Sequence, residues 1–256
     1  MYDPAAATVL MHIACIPIMI AQVRCLWYNS FAMDSYAYQS TPFWQRLRGH
    51  FTTVCIHKKY VAQGCFRLGL YRQGLFHDLS KFTPLEFGTG VRYYDGHRSP
   101  NAVERLVNNG CSESWLHHKG RNKHHFEYWI DYSNQPGRLV YGNKMPMRYL
   151  AEMVCDRRAA CIAYNRDNYQ PSMAWDHYIR CKDHSVLHRD TRLVLEKALC
   201  IMRDEGEDAC FAYLRKLLKQ TKGTGYSADA LGIEDNMVDH DEIDSRAEQL
   251  MYKDPR

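Results

Sequence analysis

From Pro42 onward the apolar positions recur every three to four residues. In FWQRLRGHFTTVCIHKKYVAQGCFRLGLY, residues Phe43, Leu47, Phe51, Val54, Val61, Cys65 and Leu68 keep that spacing, which predicts one long helix. A short link, GLYRQGL, follows it. Thr83 as cap, Pro84 at the first helical position and Glu86 three after the cap predict a second helix start. That signature gives Glu86 a structural job and removes it from the candidate ligands. Ser99-Pro100 opens another short helix, and Met145-Pro146 opens MRYLAEMVCDRRAACIAY, with Tyr149, Met153 and Ala160 as its apolar stripe. Further helices are predicted over 173–218, ending in EGEDACFAYLRKLLKQ. Residues 133–144 read as a loop. No segment shows the period-two alternation or β-branched density of a sheet, so the expected fold is all-α.

Both ends differ from this pattern. Residues 5–23, AAATVLMHIACIPIMIAQV, form an apolar run close to the length of a membrane span, but Asp3 precedes it and no basic residue does. They are read as part of an N-terminal extension over 1–41, with membrane anchoring as the alternative. After Gly223 nine acidic residues face three basic ones with little apolar periodicity, which predicts a flexible acidic tail over 223–256. The domain is therefore expected over 42–222.

Composition narrows the classes. A hydrophobic content of 46% and a charged content of 24% suit a soluble globular protein with one sizeable core. A net charge of +4 is too small to argue for nucleic acid by itself. Ten cysteines occur without any C-x-x-C pair, which argues against a zinc ribbon or a redox dithiol and for reduced thiols in a cytoplasmic protein.

The candidate chemistry centres on Phe76-His77-Asp78-Leu79-Ser80-Lys81-Phe82. An adjacent imidazole and carboxylate suit one divalent cation, and a carboxylate can bridge two. Lys81, three after Asp78, adds a positive charge beside them. More ligand types flank this stretch: His57 upstream, the pairs His117-His118 and His124-His125 downstream, then Asp156. The two pairs enclose a basic turn, KGRNK, in which Gly120 can bend the chain and turn both pairs toward one point. Adjacent histidines on a helix point about 100° apart, so one member of each pair is expected to face inward. Glu152 and Asp156 share a helical face; an acid there needs a partner or a metal.

The order His57, His77-Asp78, distal histidines, Asp156 resembles the HD-domain superfamily, an all-α fold in which such residues hold a divalent cation. HDLSKFTPLEF, SWLHHKGRNKHHFEYW and MPMRYLAEMVCDRRAACIAY together resemble, over residues 42–218, an uncharacterised bacterial and phage family catalogued as a domain of unknown function. The HD resemblance implies a metal-dependent hydrolase acting on a nucleotide or other small phosphate ester. It implies one or two ions of manganese, iron, cobalt, zinc or magnesium, held by His57, His77, Asp78, His118, His125 and Asp156. Asp78 and Lys81 are the expected catalytic groups, and Lys81, His117, Arg121, Lys123 and His124 the expected substrate contacts, with His117 and His124 alternatively supporting the ligands from behind. Two alternatives stand beside this reading. One is a di-iron oxygenase on the same scaffold; the other is a nucleic-acid or protein-binding module that keeps a structural metal.

Overall fold

The computed structural model describes residues 40–134 and 139–235. Among them are nine α-helices: α1 Phe43–Arg67, α2 Tyr71–Phe76, α3 Pro84–Arg92, α4 Pro100–Val107, α5 Glu113–Lys119, α6 Met147–Asn165, α7 Met173–Cys181, α8 Arg189–Asp204 and α9 Glu207–Gln220. One antiparallel hairpin, β1 Ile130–Tyr132 with β2 Val140–Gly142, pairs Asp131 with Tyr141. The fold is mainly all-α, as the apolar spacing predicts. The hairpin corrects the reading of 133–144 as loop throughout, because three-residue strands are too short to show alternation. Gly142 lets the hairpin approach the chain before α8: a Cβ there would lie 2.5 Å from Val186 O.

The described residues divide into two units, 40–50 with 88–113, and 51–87 with 114–134 and 139–235. In the first, Val103 is fully buried and Arg46 Nη1 donates to Arg92 O at 2.9 Å. There the predicted stripe fails: Phe43 is half exposed, while His50 is buried with its ring edge toward Tyr94.

The second unit holds the main core. Val61 and Cys65 of α1 and Leu68 just after it join Leu150, Val154 and Cys155 of α6, Trp175 and Tyr178 of α7, Leu195 and Leu199 of α8, and Phe211 and Leu214 of α9. Helix α6 is buried on nearly every side, so its polar residues Glu152 and Arg158 must be paired inside. Arg158 Nε donates to Glu207 Oε1 at 2.6 Å.

The expected tail begins as part of this core. Tyr226, Ala228 and Ile233 are buried in it. Tyr226 donates its hydroxyl to Met145 O at 2.8 Å, Lys144 Nζ donates to Tyr226 O at 2.6 Å, and Ala228 N donates to Asp190 Oδ1 at 3.2 Å. Burying Tyr226 and Ile233 contributes about 1.5–3 kcal/mol each, which overcomes the acidic composition around them. Residues 236–256 and the apolar run 5–23 lie outside the described residues. Among those described, no helix is long and apolar enough to cross a membrane.

Candidate metal centre

Asp78 stands where α2 ends. Its backbone is left-handed, φ 51° and ψ 32°, between extended His77 and the 3-10 turn Leu79–Phe82. A non-glycine residue there costs on the order of 1 kcal/mol. Two features hold the bend. Lys58 of α1 donates its ammonium to Leu75 O at 2.9 Å and His77 O at 2.8 Å, tying down the end of α2. Lys81 N donates to Asp78 O at 3.0 Å, closing the 3-10 turn. Residues three apart eclipse in such a turn, so the Lys81 ammonium comes 2.7 Å from Asp78 Oδ2.

The two oxygens of Asp78 face two donor sets. On the Oδ2 side, His57 Nε2 lies at 3.7 Å and His77 Nε2 at 3.3 Å. Asp156 Oδ1 joins them, 3.0 Å from His57 Nε2 and 3.4 Å from His77 Nε2. On the Oδ1 side, His118 Nε2 lies at 3.4 Å and His124 Nε2 at 3.3 Å, with His125 Nε2 2.9 Å from His118 Nε2. Each set offers four ligand atoms within 4.8 Å of one another.

These residues fit a cation. Ligand atoms about 2.1 Å from one ion stand about 3.0–3.4 Å apart, close to the separations seen in both sets. Nε2 of His57, His77 and His124 and Asp78 Oδ1 are buried without an aligned hydrogen bond, an expense that an ion would offset, while Asp78 Oδ2 is paired with the Lys81 ammonium. Mixed imidazole and carboxylate donors suit zinc, iron, manganese or cobalt.

A second layer fixes the rings. His77 Nδ1 and His124 Nδ1 lie 2.9 and 3.3 Å from Glu152 Oε1. His118 Nδ1 lies 2.8 Å from Glu86 Oε2, and His117 Nδ1 lies 2.5 Å from Glu86 Oε1. An ionised carboxylate only accepts, so each Nδ1 donates to it, which leaves Nε2 of His77, His118 and His124 facing Asp78. Ser80 Oγ donates to Glu86 Oε2 at 3.1 Å, and Asn122 Nδ2 donates to Ser80 Oγ and to His118 O. Trp115 stacks on His118 and meets His125 edge-on.

The charges support one another. Burial opposes the Asp78 charge, but His77, Lys81, His118 and His124 outweigh it and hold its carboxyl well below the usual range. Burial likewise opposes Asp156, and the adjacent His57 and His77 rings pull it well below. Burial works against the Lys81 ammonium, yet Asp78 and Asp156 raise it above the ordinary lysine value. Burial, then His124, pushes His125 well below the ordinary histidine value.

The structure thus brings together His57, His77, Asp78, Lys81, His118, His125 and Asp156. His124, expected to contact substrate or support the ligands, has its Nε2 3.3 Å from Asp78 Oδ1, among the atoms of the second set. It lies on a turn after α5, where the 100° rule for helical neighbours does not apply, and its ring stands 4.2 Å from that of His125. His117 turns to Glu86 rather than outward. Arg121 and Lys123 are on the exposed turn: Arg121 donates to His117 O, and Lys123 lies over the rings of Tyr128 and Tyr149. Glu86, set aside as a capping residue, is instead the support of two histidines; only Thr83 caps, its Oγ1 accepting from Glu86 N at 3.5 Å. Glu152 was legible only as the residue four before Asp156.

No curated protein and no solved structure matches the chain. The model of a family of unknown function, DUF5662, matches residues 46–201, well over half the chain. That span contains every donor from His57 to Asp156, and the chain belongs to this family of unknown function, DUF5662.

Proposed function

We propose that the chain is a metal-dependent hydrolase of phosphate esters, arranged as in the HD-domain phosphohydrolases. The observation that carries this reading is Asp78, whose two oxygens each face a separate donor set while Lys81 stands beside one of them. The ligand order along the chain supports the HD likeness. Held by either set, a divalent cation supplies Lewis acidity, making a water more acidic near neutral pH and drawing charge from a phosphoryl oxygen.

The protein's own groups do the rest. Asp78 ties both sets to one carboxylate. Lys81 has no lone pair to give a metal, so its ammonium acts on the charge that builds on the phosphate. Glu152 and Glu86 hold His77, His124 and His118 in the tautomer that leaves Nε2 free. Arg121 and Lys123, beside His124 in sequence, offer further contacts to a phosphate at the rim.

The test is a panel of nucleotides and small phosphate esters with the full chain loaded in turn with manganese, iron, cobalt, zinc or magnesium. Phosphate release that depends on the metal is expected. Lys81→Met should keep the metal and lower turnover by about 10²–10³-fold, as for a typical electrostatic donor. Absence of turnover in every loaded form overturns the reading. Oxygen uptake by the iron form favours the di-iron oxygenase, and salt-dependent RNA or DNA binding without turnover favours the binding module.

A further inference from the structure

We propose that Glu152 is a positioning residue shared by both donor sets, so that one buried carboxylate tunes two cation sites together. The inference rests on reading the donors as cation ligands and is independent of which reaction they serve. A single oxygen, Glu152 Oε1, stands 2.9 Å from His77 Nδ1 and 3.3 Å from His124 Nδ1. His77 belongs to the set with His57 and Asp156, and His124 to the set with His118 and His125. The two rings lie 4.2 Å apart. One oxygen therefore answers both rings, and removing its charge changes both contacts at once. Glu152 is 4% exposed and sits one helical turn before Asp156 on α6, whose burial leaves little freedom. Glu86 gives the contrast, since it supports only His118 and His117, on one side of Asp78. Partners of this kind fix ring orientation and ligand basicity, and losing one typically lowers metal affinity 10–100-fold.

The experiment titrates the metal-free full chain with zinc alone by calorimetry, in wild type, Glu152→Gln and Glu86→Gln. Wild type should bind two zinc ions. Glu152→Gln should weaken both steps by about 10-fold or more, and Glu86→Gln only one. Loss at only one step in Glu152→Gln, or at neither, overturns the proposal. Long-range proton–nitrogen NMR of the zinc-loaded wild type gives a second readout that needs no variant. The ring protons of both His77 and His124 should lie on Nδ1, and a proton on Nε2 of either ring overturns it. A wild type that binds no zinc overturns the cation reading itself, a result distinct from failure of the shared carboxylate.

Discussion

Gly64→Ala drives a wedge between two helices that carry donors. Gly64 lies on α1 two turns after His57, and a methyl group there would stand 2.9 Å from Cys155 Sγ and 3.3 Å from Phe211 Cζ. Ordinary contact begins near 3.4 Å, so α1 or α6 must yield by roughly 0.5 Å in a close-packed core. Two effects oppose each other. Alanine gains about 1 kcal/mol over glycine inside a helix, while overpacking costs about 1–3 kcal/mol. The expected net is a loss of about 0–2 kcal/mol. The gain belongs to the backbone and the tightest contact to the Cys155 sulfur, so Cys155→Ala removes the largest part of the cost and leaves the residue 155 Cβ at 3.2 Å and Phe211 Cζ at 3.3 Å. In that background Gly64→Ala should cost less than in wild type, giving a coupling of about 1–3 kcal/mol across the four proteins. Function should follow packing, because His57 Nε2 and Asp156 Oδ1 sit 3.0 Å apart across the same helix pair. The wedge should therefore weaken zinc binding, and Cys155→Ala should restore it. Urea unfolding followed by circular dichroism and a zinc titration provide the assay. A Gly64→Ala protein more stable than wild type, or a coupling near zero, refutes the reasoning.

Two further substitutions test single residues. Asp78→Asn keeps a residue that tolerates the left-handed backbone and removes the charge, so it should stay folded and lose most metal by elemental analysis. Asp78→Ala should also lose the metal and melt lower than Asp78→Asn by the equivalent of about 1 kcal/mol of added strain; equal melting would remove the strain argument. Asp190 reports on the docked segment after Gly223. Burial opposes its charge, but the Ala228 N–H and Lys144 outweigh it and lower its carboxyl below the ordinary value of 3.8. A lowered folded value means that this contribution is present above the unfolded value and is lost as pH falls through the folded one. Protection of residues 224–235 from hydrogen exchange, relative to the intrinsic rate at each pH, should fall below about pH 4 in wild type. Asp190→Asn should make that protection low and independent of pH across that range, and an unchanged acid profile would exclude Asp190 as the clip.

The fold class was legible because helices announce themselves locally. The stripe Val61, Cys65 and Leu68 and the proline starts at Pro84 and Pro100 are read within one or two turns, and the structure has helices there. What failed was anything set from a distance. Phe43 keeps the helical spacing yet lies half exposed, because His50 is the buried residue of that stretch. Tyr226 and Ile233 sit among acidic neighbours, and the anchors of their segment, Met145 and Lys144 at Tyr226 and Asp190 at Ala228, lie far earlier in the chain.

The candidate site divides along the same line. A ligand type at the right place in an order of histidines and aspartates can be recognised from the chain alone, which is why His57, His77, Asp78 and Asp156 were expected together. A support has no such mark, since its work is a contact with a residue 31 or 75 positions away. Glu86 carries the spacing of a capping box, and nothing local says that its carboxylate goes to His117 and His118 instead. Glu152 shares a face with Asp156, which signals that something acidic must be satisfied there but not by what. A buried helix flanked by histidines elsewhere in the chain is where such carboxylates should be sought, because each must be paired and an imidazole aimed at a metal needs an acceptor behind it. That requirement is physical and does not depend on the reaction, so it turns an unexplained acid on α6 into a candidate support for whichever histidines the fold brings to it.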